Sequence, residues 1–418
     1  MTTQDLPLQN LPLQNLPLKG IRVIDYSHFL AGPFMGRCLA AMGAEVIKVE
    51  RPKQGDAGRA HGYFKDGQSG YFLQQNMGKQ GLCIDLRDKR GLDMMMKLVD
   101  TADVFIENYR PGALERLGLG YKALSARNPG LIYCSVSAYG HTGPYADRPG
   151  FGLIAEAMSG ALAQLGSPGE APPLLRMPLA DMYTGIHGVA AINAALVGRA
   201  SSGQGQHIDL ALYDCMVSMH DYAVQRYFLS GGSDLPKQTG SGQPDSTVYG
   251  VFPARDGNLV IAAQVDDAWR RLASLIGGDN LASDERFTTP ATRNAHYAEA
   301  MDIVRNWTLS QSSRDACLAA LDEAGVPSAP VQTIEEVVKD PQIHARGMLV
   351  EQEHPVLGKV TLPNLPFRFS GCDTTVRTPA PLLGQDNRRI AASLGLTADA
   401  VDAMVRDGVL YNEAAVQE

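Results

Sequence analysis

The stretch GIRVIDYSHFLAGPFMGRCLAAMGAEVIKVERP, residues 20–52, decides the fold class. Within it, IRVIDYS (21–27) is an apolar, β-branched run of the kind that forms a strand buried on both faces. Gly32-Pro33 breaks the run, FMGRCLAAMG (34–43) carries helical spacing, and AEVIKVE (44–50) is a second strand. Strand, helix and strand within about thirty residues make a βαβ unit, parallel and right-handed. Reading outward, LCIDLR (82–87), a helix over 90–102 and DVFIENY (103–109) repeat the scheme, and GLIYCSVSAYG (130–140) adds another buried strand. The expected fold is α/β, with an open, Rossmann-like doubly wound sheet whose ligands sit beyond the carboxyl ends of the strands.

The rest of the chain divides around that sheet. Residues 6–19 repeat LPLQN, with proline in each repeat, and read as an extended arm over 1–19. A large-domain part covers 20–218, including a long helix after Asp181, and a helix over 212–229 leads out of it. LSGGSDLPKQTGSGQPDS (229–246) is a Gly/Ser/Pro-rich linker. It leads to a hairpin in VYGVFPARDGNLVIAAQ with Asp256-Gly257 at the turn, then helices around 266–276, 296–310 and 313–324. Linker and small α+β domain together span 219–339. The final part, 340–418, has strand-like MLVEQEH, KVTLP and FRFSG, then helices 387–395 and 397–406, and is expected to return to the large domain.

A net charge of -8 argues against a protein that coats nucleic acid or anionic membrane. No apolar stretch is long enough to span a bilayer. The six cysteines stand singly, without CxxC, as small apolar filler in a reducing compartment. The N-terminus lacks the basic start and unbroken apolar core of a signal peptide, so a cytoplasmic location is expected. There is no GxGxxG opening a helix after a strand, no GxxxxGK[ST], no HExxH or Cys/His cluster for a metal, and no GxSxG elbow.

PLADMYTGIHGVAAINAAL (178–196) stands out among what remains. Asp181 lies where a proline-containing loop becomes a helix, and its simplest role is that of an N-cap. Gly185 and Gly188 in the first turns weaken the helix by about 1 kcal/mol each relative to alanine, which implies close approach by a ligand or another backbone.

The opening stretch, with QNMGKQGLCIDLR, ADVFIENYRPGALERLGLGY, NPGLIYCSVSAYGHTGPY and SGQGQHIDLALYDCM in order, resembles the family III CoA-transferases. That group includes formyl-CoA:oxalate transferase and the carnitine CoA-transferases. DPQIHARGML and PAPLLGQDNRRI match its tail, so the resemblance runs from about Gly20 to the end.

The resemblance implies that Asp181 is the nucleophile, passing through a mixed anhydride and an aspartyl-CoA thioester. A helix N-terminus is expected to keep its carboxylate ionised at neutral pH. Such exchange is nearly thermoneutral, so no permanently bound cofactor and no metal is expected; CoA is a co-substrate. The substrates implied are an acyl-CoA and a free carboxylic acid, with a succinyl-type dicarboxylate favoured.

Residue by residue, the resemblance places His28 and Ala31 near the thioester and Arg51 at the nucleotide phosphates. Leu86 with Arg87, Lys89 or Arg90 would hold the adenosine end, and Asn108, Tyr109 and Arg116 would complete that wall. Gly240 and Gly242 correspond to the family's glycine loop. Formyl-CoA:oxalate transferases have glutamine where this chain has Leu30 and lysine where it has Ser137, so oxalate is disfavoured. Leu30, Ser137 and Tyr139 become candidate pocket residues. The α-methylacyl-CoA racemases share the fold and the aspartate but add Gly-His-Asp where this chain has Gly150-Phe151-Gly152. An acid and a base on opposite faces are therefore missing, which favours transfer over racemisation. The resemblance also implies an interlaced homodimer.

Overall fold

The computed structural model describes residues 16–412. The LPLQN repeats up to Asn15 lie outside the described residues. The chain forms two compact units. Among the described residues the larger takes in 16–159, Arg176–His220 and 341–412, and the smaller is Gly160–Leu175 with Asp221–Asp340.

Six strands make the larger unit's sheet: β1 (Arg22–Tyr26), β2 (Glu45–Glu50), β3 (Gln80–Cys83), β4 (Val104–Glu107), β5 (Ile132–Ser137) and β6 (His207–Ala211). Their order is β3-β2-β1-β4-β5-β6 and every pairing is parallel. Its helices are α1 (Ala31–Ala41), α2 (Gly70–Asn76), α3 (Lys89–Asp100), α4 (Tyr121–Arg127), α5 (Gly152–Met158), α6 (Leu179–Ser202) and α7 (Leu212–Ser218).

Burial on both faces explains the near-continuous apolar runs in the sequence. Ile24, Ile47, Leu82, Phe105 and Tyr133 share one core with Met94, Met95 and Leu98 of α3. Each such side chain contributes about 1.5–3 kcal/mol on leaving water. The alternate residues point the other way, where α1 and α6 lie. Gly188 of α6 sits against Met35 of α1; a Cβ there would stand 2.0 Å from the Met35 sulfur. Gly185 similarly faces Phe34, so these two glycines serve helix packing and not a ligand.

In the smaller unit, α8 (Ala223–Leu229) precedes an antiparallel sheet of β7 (Tyr249–Ala254), β8 (Gly257–Ala262) and β9 (Ser328–Pro330), in the order β9-β8-β7. Helices α9 (Asp266–Ala282), α10 (Pro290–Ala295), α11 (Tyr297–Ser310) and α12 (Arg314–Glu323) accompany it. Its core is built on Trp269, Phe252 and Phe287.

From Pro341 the chain adds the hairpin β10 (Leu349–His354) and β11 (Gly358–Pro363), then α13 (Asn387–Ser393) and α14 (Ala398–Arg406). Asn387 accepts from the Cys83 amide at 2.8 Å, and the Asp85 amide donates to the Val409 carbonyl at 2.8 Å. These bonds tie the C-terminal segment to the β3 edge within one unit.

Four expected elements differ in detail. Ala254 pairs with Gly257, so the hairpin turn is Arg255-Asp256, one residue earlier than expected. The expected helix over 212–229 is two helices, α7 and α8, broken where the chain passes from one unit to the other. The LCIDLR strand ends at Cys83, because Ile84 takes Leu410 as an antiparallel partner. FRFSG forms only the bridge Phe369–Cys372, having no neighbouring strand. All six cysteines are buried and free. No helix of the described residues is long and apolar enough to cross a membrane.

Candidate active site

Strand order reverses between β1 and β4: from β1 the chain winds outward through β2 and β3, and from β4 through β5 and β6 in the other direction. The loops leaving β1 and β4 therefore diverge and open a crevice at the carboxyl ends. Two cavities lie there. One, of about 310 Å³, is lined by Tyr26, Ser27, His28, Arg51, Asp56 and Tyr109 among others. The second, of about 360 Å³, takes in His28, Ala31, Asn108, Tyr109, Ser137 and Asp181. His28, Phe29 and Tyr109 belong to both, so the two cavities adjoin along one wall.

The loop after β1 is held firmly. His28 donates its amide to Asn108 Oδ1 at 2.8 Å and accepts from Asn108 Nδ2 at 2.7 Å, which locks the two diverging loops together. Phe29 has φ 61°, a left-handed conformation that a bulky residue adopts only when its surroundings impose it. Asp56 imposes it by accepting from the Phe29 amide at 2.9 Å. Asp56 is held in turn by Lys48, whose Nζ lies 2.8 Å from Oδ2 and also donates to the Ser27 carbonyl. Lys48 neighbours Asp25, and Lys79 Nζ reaches Asp25 Oδ2 at 2.7 Å. This buried lattice of charges forms the floor beneath the loop. The His28 ring packs 4.9 Å from Tyr109, which lies 5.1 Å from Tyr26. Burial pushes the His28 pKa down, with Lys48 and Arg51 acting in the same direction and Asp56 opposing.

Asp181 stands in the first turn of α6 but does not cap it. The N-cap is Pro178, which offers no side-chain hydrogen bond. The carboxylate instead rests on Gly152, the first residue of α5: a Cβ there would lie 2.2 Å from Asp181 Oδ2. Only glycine leaves room for it. Burial raises the Asp181 pKa to about 6, and the charge of Glu156 adds to that, against a hydrogen bond from its own backbone. Removal from water and a like charge thus act against the helix dipole that was expected to keep this carboxylate ionised at neutral pH. At pH 7 the ionised form still predominates.

The other expected residues are dispersed. His28, Ala31, Asn108, Tyr109 and Ser137 gather with Asp181 around one cavity, and Arg51 lines the adjoining one. Leu30 is buried, Leu86 belongs to the core with α3, and Tyr139 turns its hydroxyl to Met158 at 3.2 Å. Arg87, Lys89 and Arg90 are exposed and already paired with Asp85, Asp93 and Asp88 respectively. Arg51 and Arg116 are exposed and make no salt bridge among the described residues. Gly240 and Gly242 belong to the smaller unit, where Gly242 bridges to Gly250.

Sequence reasoning missed Phe29, Arg110, Phe151 and Leu212, which also line the Asp181 cavity. It also missed Glu156. Lys48 was detectable: a lysine in the middle of a doubly buried strand demands a charged partner. Among the described residues no group of three His, Cys, Asp or Glu could hold a metal ion.

A doubly wound sheet whose switch-point crevice joins aromatic rings, an unpaired arginine and a carboxylate of raised pKa defines an α/β enzyme acting on an anionic ligand. Residues 18–387 match CoA-transferase family III. The chain belongs to that family and is an enzyme that transfers CoA. It is 39% identical over 382 residues to a succinate–glutarate CoA-transferase of Agrobacterium fabrum, covering 90% of this chain and 95% of that protein. It is 38% identical over 382 residues to a succinyl-CoA–D-citramalate CoA-transferase of Chloroflexus aurantiacus, covering 91% and 94%. The crystal structure of a CAIB/BAIF family protein from Brucella suis superposes with a TM-score of 0.82 at 38% identity, covering 91% of this chain and all of that one.

Proposed function

We propose that the enzyme moves CoA from a succinyl-type acyl thioester to a free carboxylic acid, with Asp181 as covalent nucleophile. The observation that carries this reading is the Asp181 carboxylate seated on Gly152 in the wall of the switch-point cavity.

In the first step an Asp181 oxygen attacks the thioester carbonyl and CoA leaves as thiolate, giving a mixed anhydride. The thiolate then attacks the aspartyl carbonyl; the donor acid departs and an aspartyl-CoA thioester remains. The acceptor carboxylate attacks that thioester, forming a second anhydride and freeing the thiolate again. Attack of the thiolate on the acceptor's acyl carbon releases the new thioester and restores Asp181. Splitting the transfer in this way replaces one difficult displacement by four easier ones. Each tetrahedral species carries a negative oxygen. Ala31 begins α1; Pro33 has no N–H and the Phe34 amide bonds the Leu30 carbonyl, so the Ala31 and Gly32 amides are the first-turn donors open to that charge. Arg51 and Arg116 suit the phosphates of CoA.

Two further points support the reading. Phe151 and Gly152 stand where a racemase needs its second acid/base pair, and Gly152 has no space for a side chain while Asp181 is in place. The relatives named for succinate–glutarate and succinyl-CoA–D-citramalate exchange favour dicarboxylates, in keeping with Leu30 and Ser137 in place of the oxalate-type residues. We also propose a homodimer. In the larger unit Phe151, Leu153, Ile154, Ile186 and Val197 are exposed apolar side chains on α5, its N-cap and α6, surface that a second copy of the chain would cover.

The test is a matrix of acyl-CoA donors against free acids, with the new thioester identified by mass spectrometry. Succinyl-CoA with C4–C6 dicarboxylates should turn over fastest. Deuterium entering the α-carbon of a branched acyl-CoA without any acceptor acid would establish the isomerase reading instead.

A further inference from the structure

One buried ionisable group beside the nucleophile has no part in the steps above. Glu156 on α5 is 3% exposed, and its Oε1 accepts from the Ala180 amide at 3.1 Å. That amide lies in the first turn of α6, where no carbonyl of the helix can reach it and where Pro178 provides no cap. Glu156 therefore does from a neighbouring helix what an N-cap side chain does locally. Gly152 and Glu156 are four residues apart and share one face of α5. Gly152 meets the Asp181 carboxylate, and Glu156 grips the backbone one residue before it. A single helical face thus holds the nucleophile at two points.

Resting on the nucleophile reading of Asp181, we propose that Glu156 is a positioning residue of the transfer reaction. It fixes the start of α6 through the Ala180 amide and sets a second negative charge beside the Asp181 carboxylate, which sharpens its nucleophilicity. The direction of the Asp181 shift agrees, since burial and then Glu156 raise it to about 6. A more basic carboxylate attacks faster, provided it stays ionised at working pH. The other groups facing Asp181 differ in kind: Tyr71 of α2 is a neutral phenol whose own pKa Asp181 helps raise, and His28 and Arg110 lie along the cavity wall. Glu156 alone among them adds negative charge.

Glu156→Gln separates the two effects, because the amide oxygen still accepts from Ala180 while the charge is gone. Single-turnover acylation by succinyl-CoA is followed against pH, and the labelled peptide is located by mass spectrometry. In E156Q the acidic limb should move toward acid by about half to one pH unit and the plateau rate fall about 3- to 10-fold, with KM for succinyl-CoA unchanged. E156A, which loses the hydrogen bond as well, should fall about 100-fold. E156D keeps the charge at shorter reach and serves if Gln prevents folding: its limb should stay in place while its plateau falls, and a wild-type plateau overturns the positioning role. A wild-type limb and plateau in E156Q overturn the proposal for Glu156 alone. Absence of an adduct on Asp181 in the unmodified enzyme overturns the nucleophile reading first.

Discussion

Asp25 and Asp181 are both withdrawn from water in the larger unit, and they titrate in opposite directions. Asp25, fully buried near the carboxyl end of β1, suffers the greater loss of solvent, which by itself would raise its pKa. Lys48 and Lys79, with hydrogen bonds from Lys79 and Ser27, outweigh that and bring it down to about 2. Asp181 is less deeply buried, makes no salt bridge among the described residues, and has the charge of Glu156 acting with burial, so its pKa rises. The difference teaches that partners, and not depth, decide what a buried carboxylate can do. Asp25 is permanently charged, paired and inert, and it holds up the loop that carries His28 and Phe29. Asp181 is charged at neutral pH but poorly compensated, as the proposed nucleophile requires.

The largest way to break that contrast is to remove a cation from the floor. Lys79→Met leaves Asp25 with Lys48 as its sole cationic partner, and should cost about 3–5 kcal/mol of stability in urea titration. Adding Asp25→Asn to that variant should restore part of the loss, the coupling between the two sites being about 1–3 kcal/mol. Equal and additive losses would show that the pair is not coupled.

A smaller effect of opposite sign is expected at Asp181. Its folded pKa lies above the unfolded value of 3.8, so the folded state binds the proton more tightly. The stability this gives is present below about pH 4 and is lost as pH rises through about 6. Asn has no such dependence. Asp181→Asn should therefore match the wild type near pH 4 and exceed it by about 1–2 kcal/mol above pH 7, after allowance for partial solvent access. Thermal unfolding across that pH range measures the gap. Asp25 follows the other sign, its contribution persisting at neutral pH and vanishing only as pH falls from about 4 through about 2.

Much of this was legible in the sequence, because runs such as IRVIDY and LIYCSV can only be strands covered on both faces. The loop ends that follow them, His28 and Asn108-Tyr109, came from the family resemblance, and the structure puts both beside one cavity at the switch point. β6 was not legible: HIDLA alternates His207 and Asp209 with apolar residues at a sheet edge, and carries a weaker signal. α2 was missed as a short helix without a long apolar stripe. Glu156 was invisible for a different reason. GLIAEAM is too short for its pattern to single out Glu156, whose meaning lies in an amide 24 residues further along the chain. Local patterns report what a segment buries, whereas a long-range polar contact leaves no period to detect.

The central claim, that Asp181 is the nucleophile, is tested most directly by incubating the enzyme with succinyl-CoA, quenching with borohydride or hydroxylamine, and sequencing the modified peptide by mass spectrometry. A single adduct on Asp181, absent from Asp181→Asn, is the predicted result. Turnover with no modification of Asp181, or undiminished turnover by Asp181→Asn, would contradict the account.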